Sequence, residues 1–252
     1  MQPCGVLIDG KTPDLPYELE EGIFKYLART DRRSIPSLMR VARRVKGWVE
    51  PFLYSIIIRR WGHKAYNPPV NCLPKYAHHV RHLLVYYTQA LTLDELIQHL
   101  TLCTNLVDVA LWCAHDKEAI SHALPTLPLQ RFSGFIPHLK PENRQEDVSK
   151  FTGITHLELL DNGLTWPKLA WLKDLRNLTH LALVDRLDPE IVVDIFQNCG
   201  GLQELVLTHS YGIQHQEQRI IFNKLDSVQS YAEEWLIQAD AECITFWERA
   251  EM

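Results

Sequence analysis

The sequence predicts an α/β protein: a short helical module at the N-terminal end, then a solenoid of strand–helix repeats, then a helical cap. Three observations carry this. Six segments of the form apolar-x-x-apolar-x-apolar recur at nearly even intervals between Val80 and Leu207. Between them the apolar spacing changes from two to three or four, the change that marks a strand giving way to a helix. Ahead of them, residues 15–56 keep helical spacing almost to their end.

Residues 1–14, MQPCGVLIDGKTPD, read as a loosely ordered tail. They lack the basic start and apolar stretch of a secretory signal. A first helix is expected after Leu15. Pro16 suits a first turn, where its missing N–H would be unpaired anyway. Leu19, Ile23, Tyr26 and Leu27 share one face, and Glu18, Glu20 and Glu21 favour the positive end of the helix dipole. Gly22 weakens this helix by about 1 kcal/mol relative to alanine, so it needs tertiary support. After a break at 28–30, Asp31 and Ser34 are good N-cap types, and Pro36 belongs in a first turn. A second helix is therefore expected from about Ser34, with Leu38, Val41, Val45 and Trp48 on its apolar face. Arg40, Arg43, Arg44 and Lys46 cover its other side, and Pro51 is expected to end it.

The order Leu-Pro-x-Glu-Leu, Ile-Phe-x-x-Leu, Asp and Ser, Leu-Met-x-Val-x-Arg-Arg-x-x-x-Trp, Phe-Leu-Tyr resembles the F-box, over about one sixth of the chain. It departs from that motif in having Ala42 near the place where a cysteine often precedes the basic pair. The resemblance implies docking to the Skp-type adaptor of a cullin–RING ubiquitin ligase. The matching positions are Leu15, Pro16, Leu19, Ile23, Leu27, Leu38 and Val41, with Trp48 as internal support.

A short buried strand is expected at Tyr54–Ile58, bounded by Arg59-Arg60, so the module is drawn as residues 15–60. A proline-punctuated linker, 61–79, follows. The six segments begin at Val80, Leu106, Leu129, Ile154, Leu178 and Leu202, which are 26, 23, 25, 24 and 24 residues apart. Leu157, Leu181 and Leu205 fall at a strict interval of 24. Helical runs lie between them. One covers Leu91–Leu100, with Thr92 and Asp94 as cap candidates, and another opens at Asp188-Pro189. Trp166–Leu175 and Asp116–Leu127 are weaker versions, and Lys140–Lys150 reads as a loop. One strand and one helix per 20–29 residues resembles the leucine-rich repeat. The repeats are irregular: Gly134 fills the last apolar slot of the third, and the usual asparagine is in register only at Asn162. The repeats are assigned to 80–216. Arg219–Phe222 is a candidate further strand, and 217–252, with Tyr231, Trp235, Leu236, Phe246 and Trp247, is read as the C-terminal cap.

A net charge of -5 and a pI near 6.2 give no basis for attraction to nucleic acid or to a membrane surface. The local cluster Arg32, Arg33, Arg40, Arg43, Arg44 and Lys46 reads as a solvated helix face. No run of eighteen apolar residues occurs. Six cysteines (Cys4, Cys72, Cys103, Cys113, Cys199 and Cys243) include no C-x-x-C pair, and Cys103 and Cys199 are expected as buried thiols in a reducing compartment. His78, His79, His82 and Cys72 lie close in sequence but lack the spacing of a zinc site. No nucleophile elbow, phosphate loop or dinucleotide fingerprint is present. Asp161 and Asp185 end their segments and are expected to cap loops, and the sequon at Asn177 is expected to be a repeat boundary.

The outward strand positions are the informative set. Side chains alternate across a strand. The third slots, His82, Asp108, Arg131, His156, His180 and Glu204, form one column. The seventh, Tyr86, Trp112, Phe135, Leu160, Val184 and Thr208, form another. Exposed aromatic groups on such a face mark protein partners, so Tyr86, Trp112 and Phe135, with His82, Asp108, Arg131, His156 and His180, are the expected substrate contacts. The competing reading has the linker or cap folded over the aromatics.

The two resemblances together imply a non-enzymatic substrate receptor of an SCF-type ligase, of a pairing found in large sets in fungi. It would be cytoplasmic or nuclear, with an adaptor–cullin complex and a protein substrate as partners, and with no cofactor, metal, nucleic acid or membrane. The alternative is a leucine-rich-repeat scaffold without a ligase link.

Overall fold

A computed structural model describes residues 15–60, 73–86, 91–113, 117–139, 148–184, 187–207 and 219–222. The expected tail, the linker up to residue 72, most of the loop at 140–150 and the cap beyond residue 222 lie outside the described residues, as do Asp185 and Thr208. The chain divides into two compact units, Met1–Leu53 and Tyr54–Met252.

The first unit holds helices α1 (Tyr17–Thr30), α2 (Ile35–Leu38) and α3 (Arg43–Tyr54). The expected single second helix is thus two. Pro36 sits in the first turn of α2, and the following amides then fold back over three residues, Arg40 N–H to Ser37 O and Val41 N–H to Leu38 O. Such tightened bonds close a helix end, and α3 restarts with Lys46 N–H bonded to Ala42 O at 3.0 Å. Pro51, expected as a terminator, lies inside α3. It removes one rung of the helix. The last turn keeps a partner from elsewhere in the unit, because the Arg32 guanidinium donates to Leu53 O at 3.2 Å. Ala28, Ile35, Val45, Trp48 and Val49 form the core, with Phe24, Leu38 and Phe52 packed around them.

The second unit alternates strand and helix. Its strands are β1 (Ile56–Arg60), β2 (His82–Tyr86), β3 (Asp108–Trp112), β4 (Arg131–Gly134), β5 (His156–Leu159), β6 (His180–Leu183), β7 (Glu204–Leu207) and β8 (Ile220–Phe222). The helices between them are α4 (Leu73–Tyr76), α5 (Leu93–Leu102), α6 (Lys117–Ala123), α7 (Ile136–Leu139), α8 (Trp166–Leu169) and α9 (Pro189–Asn198). All eight strands run parallel in one sheet, each beside its neighbours in sequence.

This corrects the expected architecture. In place of a helical module reaching residue 60, a six-strand leucine-rich-repeat solenoid and a helical cap, one all-parallel α/β sheet of eight strands begins at Ile56. The α/β class holds and the finer division does not. Its first strand comes from the stretch assigned to the module, because the apolar run Ile56–Ile58 finds backbone partners only in the sheet, Ile57 opposite Leu83. Its last comes from the stretch assigned to the cap, Ile220 lying opposite Leu205. Among the described residues the strand order never reverses, so no crevice of the kind that forms at a switch in strand order arises there.

Burial follows the pleat: the face toward the helices is buried throughout, while the other is largely buried at β2 and β3 and only half-buried at His156, Glu158 and His180. Leu83, Val109, Phe132, Leu157, Leu181 and Leu205 form one row against the helices, joined to Leu96, Leu100, Ile120, Leu169, Trp171, Val192 and Ile195. Ile56, Leu84, Tyr86, Ala110 and Trp112 form a separate cluster. The helix α5 opens on a full capping box: Thr92 Oγ1 accepts the Glu95 N–H, and the Glu95 carboxylate accepts the Thr92 N–H at 2.8 Å. Asn105 and Asn177, each just before a strand segment, donate to His78 O and Thr152 O of the preceding unit at 2.7 and 2.6 Å. The sequon asparagine is therefore a bridge between successive turns of chain.

Two glycines mark close approaches. At Gly134 a Cβ would meet Phe132 Cζ at 2.9 Å and His138 Nδ1 at 3.2 Å, so the missing leucine of that strand leaves room for the Phe132 ring. At Gly153 a Cβ would meet Leu129 O, a backbone atom, at 2.5 Å. Gly153→Ala is expected to lower stability by about 1–3 kcal/mol. Gly200→Ala, with nothing within 4 Å, is expected to be neutral or to add up to about 1 kcal/mol. Urea denaturation of the two variants beside the native chain checks the contrast.

Candidate functional site

Helix α1 is amphipathic in a way that divides its apolar residues between two faces. Pro16 caps it, its carbonyl accepting the N–H groups of Leu19 and Glu20 at 3.0 Å. Phe24 and Ala28, four apart, turn toward the unit's own core. Leu15, Leu19, Ile23 and Leu27, also four apart but about 100° round the helix, turn outward. Leu19 is 57% exposed, Ile23 50% and Tyr26 66%. The face that spacing picked out is thus open to solvent. Pro16 is exposed as well, Leu38 is half-buried, and Val41, in the turn after α2, is 61% exposed. Burying one such side chain completely contributes about 1.5–3 kcal/mol, so a row of them left in water is a standing cost that a partner would remove.

The ridge rests on a fixed base. Trp48 is buried, as its expected supporting role requires, and its indole N–H donates to the Tyr17 hydroxyl at 3.0 Å, with the rings edge to face at 5.0 Å. Arg44 grips the Glu20 carboxylate with two nitrogens, at 2.9 and 3.2 Å. Both contacts tie α3 to the first half of α1.

The sheet unit carries the other predicted set. His82, Asp108, Arg131, His156, His180 and Glu204 stand directly opposite one another across six strands. Asp108 is the hub at one end: His82 Nδ1 and Arg131 Nε both lie 3.3 Å from its Oδ2, and the carboxylate is buried. At the other end the rings of His156 and His180 stack at 4.2 Å, nearly parallel. Each takes its orientation from the threonine before it. Gln130 O already accepts the N–H groups of Thr155 and His156, at 2.9 and 3.1 Å. The Thr155 hydroxyl lies 2.8 Å from His156 Nδ1 and also reaches Gln130 O at 3.2 Å. Thr179 stands in the same way to His180 Nδ1 at 2.7 Å and to Thr155 O at 3.1 Å. His180 Nε2 faces Glu204 Oε2 at 3.9 Å.

The aromatic column does not form the open patch expected of it. Tyr86 and Trp112 are buried, 6% and 8% exposed, and pack edge to face at 5.7 Å. Phe135 is half-buried and packs on His138. Trp112 belongs to a polar chain that spacing does not reveal: its indole N–H donates to Ser133 Oγ at 2.7 Å, and the Ser133 hydroxyl donates to the Glu158 carboxylate. Pleat alternation was the available signal, because Ser133 and Glu158 are paired in register on that same face.

Sequence reasoning also missed Arg59, taken as a strand boundary but buried on the helix side of the sheet. Its guanidinium donates to His99 Nε2 at 3.1 Å, and His99 Nδ1–H donates to Glu95 O at 2.6 Å. Burial holds the Arg59 pKa below its ordinary value and that of His99 below the histidine range. The thiols of Cys103 and Cys199 are buried and free, and burial pushes them up to about 12 and about 11, out of reach of neutral-pH thiolate chemistry. Asp161 accepts the Ile136 N–H at 2.6 Å, a loop cap. Among the described residues no group of three or more histidine, cysteine or acidic side chains is arranged to hold a metal, and no helix is long and apolar enough to cross a membrane.

Burial, with the charges of His180 and Arg131 nearby, lowers His156 to about 4, against the smaller opposing pull of Asp108. The unfolded chain therefore binds the proton first. The stability from a neutral His156 is whole above about pH 6.5 and is lost as the pH falls from there toward 4. His99 acts in the same direction. Denaturation midpoints at pH 7.5, 6 and 4.5 are expected to fall steadily, and His156→Asn to make that slope shallower.

A scan of this chain against protein-family models and a search of curated proteins both find no match.

Proposed function

We propose that this chain is the substrate-receptor subunit of an SCF-type ubiquitin ligase. Its first unit docks the Skp-type adaptor and its sheet unit holds a protein substrate. The observation that supports this most is the outward row Leu15, Leu19, Ile23 and Leu27, with Val41 beside α2. These are positions at which the F-box resemblance calls for adaptor contact, and a helical unit this small keeps such residues in water only at a cost. In this reading the chain performs no chemistry. It raises the effective concentration of a substrate lysine near a charged conjugating enzyme, as linked binding sites do.

The substrate contacts are drawn from the polar row. Arg131 and His82 keep part of their side chains accessible, whereas Tyr86 and Trp112 serve the packing of the sheet. Asp108 works indirectly, holding His82 and Arg131 in place.

A pull-down with purified Skp-type adaptor tests the reading. The native chain is expected to bind. The Leu19→Asp plus Ile23→Asp variant is expected to fold and to bind at least about 100-fold more weakly, because each new carboxylate would be buried unpaired. A folded native chain that does not bind the adaptor removes the ligase assignment.

A further inference from the structure

Resting on that docking reading, we propose that Arg33, Arg40 and Arg43 form an electrostatic collar at the ridge, and that the adaptor surface they meet is rimmed with carboxylates. The spacing of the basic residues suggested one solvated helix face. The break between α2 and α3 removes that helix. Arg40 stands in the turn, Arg43 begins α3, and Arg33 sits in the tight turn after α1.

The other basic residues of the unit, among those described, are already engaged. Arg44 holds Glu20, Lys25 holds Glu21 at 2.6 Å, Lys46 lies 3.9 Å from Glu50, Arg32 caps Leu53 O, and Arg29 covers the Phe52 ring. Of the unit's described acids, Glu20, Glu21 and Glu50 are spent in the same contacts, while the exposed Glu18 on α1 enters none of them. Asp31 uses its carboxylate on the Arg33 N–H. Arg33, Arg40 and Arg43 are exposed, and no carboxylate among the described residues pairs with their side chains. Arg40 is joined directly to Val41, the most exposed apolar residue of that turn. The Arg44–Glu20 fork ties the start of α3 to the part of α1 that carries Leu19.

Three exposed arginines without a carboxylate partner among the described residues, one of them joined to the exposed Val41, are a local inversion of sign on a chain whose net charge is -5. Charges at the rim of an interface act chiefly on the rate of encounter and on which partner is accepted, whereas the buried apolar row sets how long the complex lasts. The collar therefore selects an acidic partner and speeds its capture, while Leu19 and Ile23 hold it.

The test is the kinetics of the full chain binding purified Skp-type adaptor at 50 and 300 mM NaCl. The variant Arg33→Glu, Arg40→Glu, Arg43→Glu is expected to fold, since these side chains bear on no core. It should lose at least about tenfold in association rate at low salt, with a flatter salt dependence and a nearly unchanged dissociation rate. Lysine at the same three positions is expected to restore the rate, which separates charge from shape. Unchanged association and salt slope in the glutamate variant, with Leu19→Asp plus Ile23→Asp still abolishing binding, would overturn the collar and leave the docking reading intact. A native chain that does not bind the adaptor overturns both. Tight, salt-dependent capture of a DNA duplex by the native chain, with adaptor kinetics indifferent to the glutamates, would assign the arginines to another polyanion and also overturn the proposal.

Discussion

The sheet unit depends on one constraint: every strand must find its hydrogen-bonding partner in a parallel neighbour, in a register that also puts leucine over leucine. Parallel ladders bond both edges of each strand, so an unpaired segment in the middle would leave buried amides without partners. The row from Leu83 through Val109, Phe132, Leu157 and Leu181 to Leu205 fixes that register, and each side chain inherits its address from it. A slip of one residue would send the leucine row to the opposite face and carry Asp108 and Glu204 into the apolar core, a change too costly to occur locally. The polar row is ordered because the apolar row behind it is.

The helical unit solves a different problem. It is too small for α1 to bury all its apolar residues, and α1 has two sets of them, one residue out of phase. The set with Phe24 and Ala28 meets Trp48 and Val49 and becomes core. The set with Leu19 and Ile23 is left outside. Helical spacing alone cannot distinguish these outcomes, since both sets satisfy it. What decides is the position of the second chain segment, held by the Arg44–Glu20 fork and the Trp48–Tyr17 hydrogen bond.

Much of the fold was legible. The interval of 24 residues put Leu157, Leu181 and Leu205 in one row, and Thr92 and Asp188-Pro189 marked real helix starts. Boundaries were read less well. Ile56–Ile58 was legible as a strand but was assigned to the helical module, because nothing in a short apolar run says which neighbour will pair with it. Pro51 looked like a terminator, but it lies inside α3, whose last turn is held separately by Arg32 donating to Leu53 O. Burial of the aromatic column was the largest miss for the candidate site. Alternation says which face Tyr86 and Trp112 occupy and not what covers that face. Arg59 and His99 were invisible for a related reason: 40 residues apart in sequence, they meet only because β1 joins the sheet.

The stacked histidines have a consequence for how this surface carries charge. Each Nδ1 lies within hydrogen-bond reach of a threonine hydroxyl that also reaches a main-chain oxygen, at 3.2 Å for Thr155 and 3.1 Å for Thr179. When a ring takes up a proton at Nδ1, its threonine need only rotate toward that oxygen. The hydroxyl is therefore a two-position rotor that reports the state of the ring. With the two rings 4.2 Å apart, a proton on one raises the cost of a proton on the other. The charge of His180 is accordingly one of the causes that disfavour a proton on His156. Across the middle of the sheet face, charge is therefore rationed by geometry.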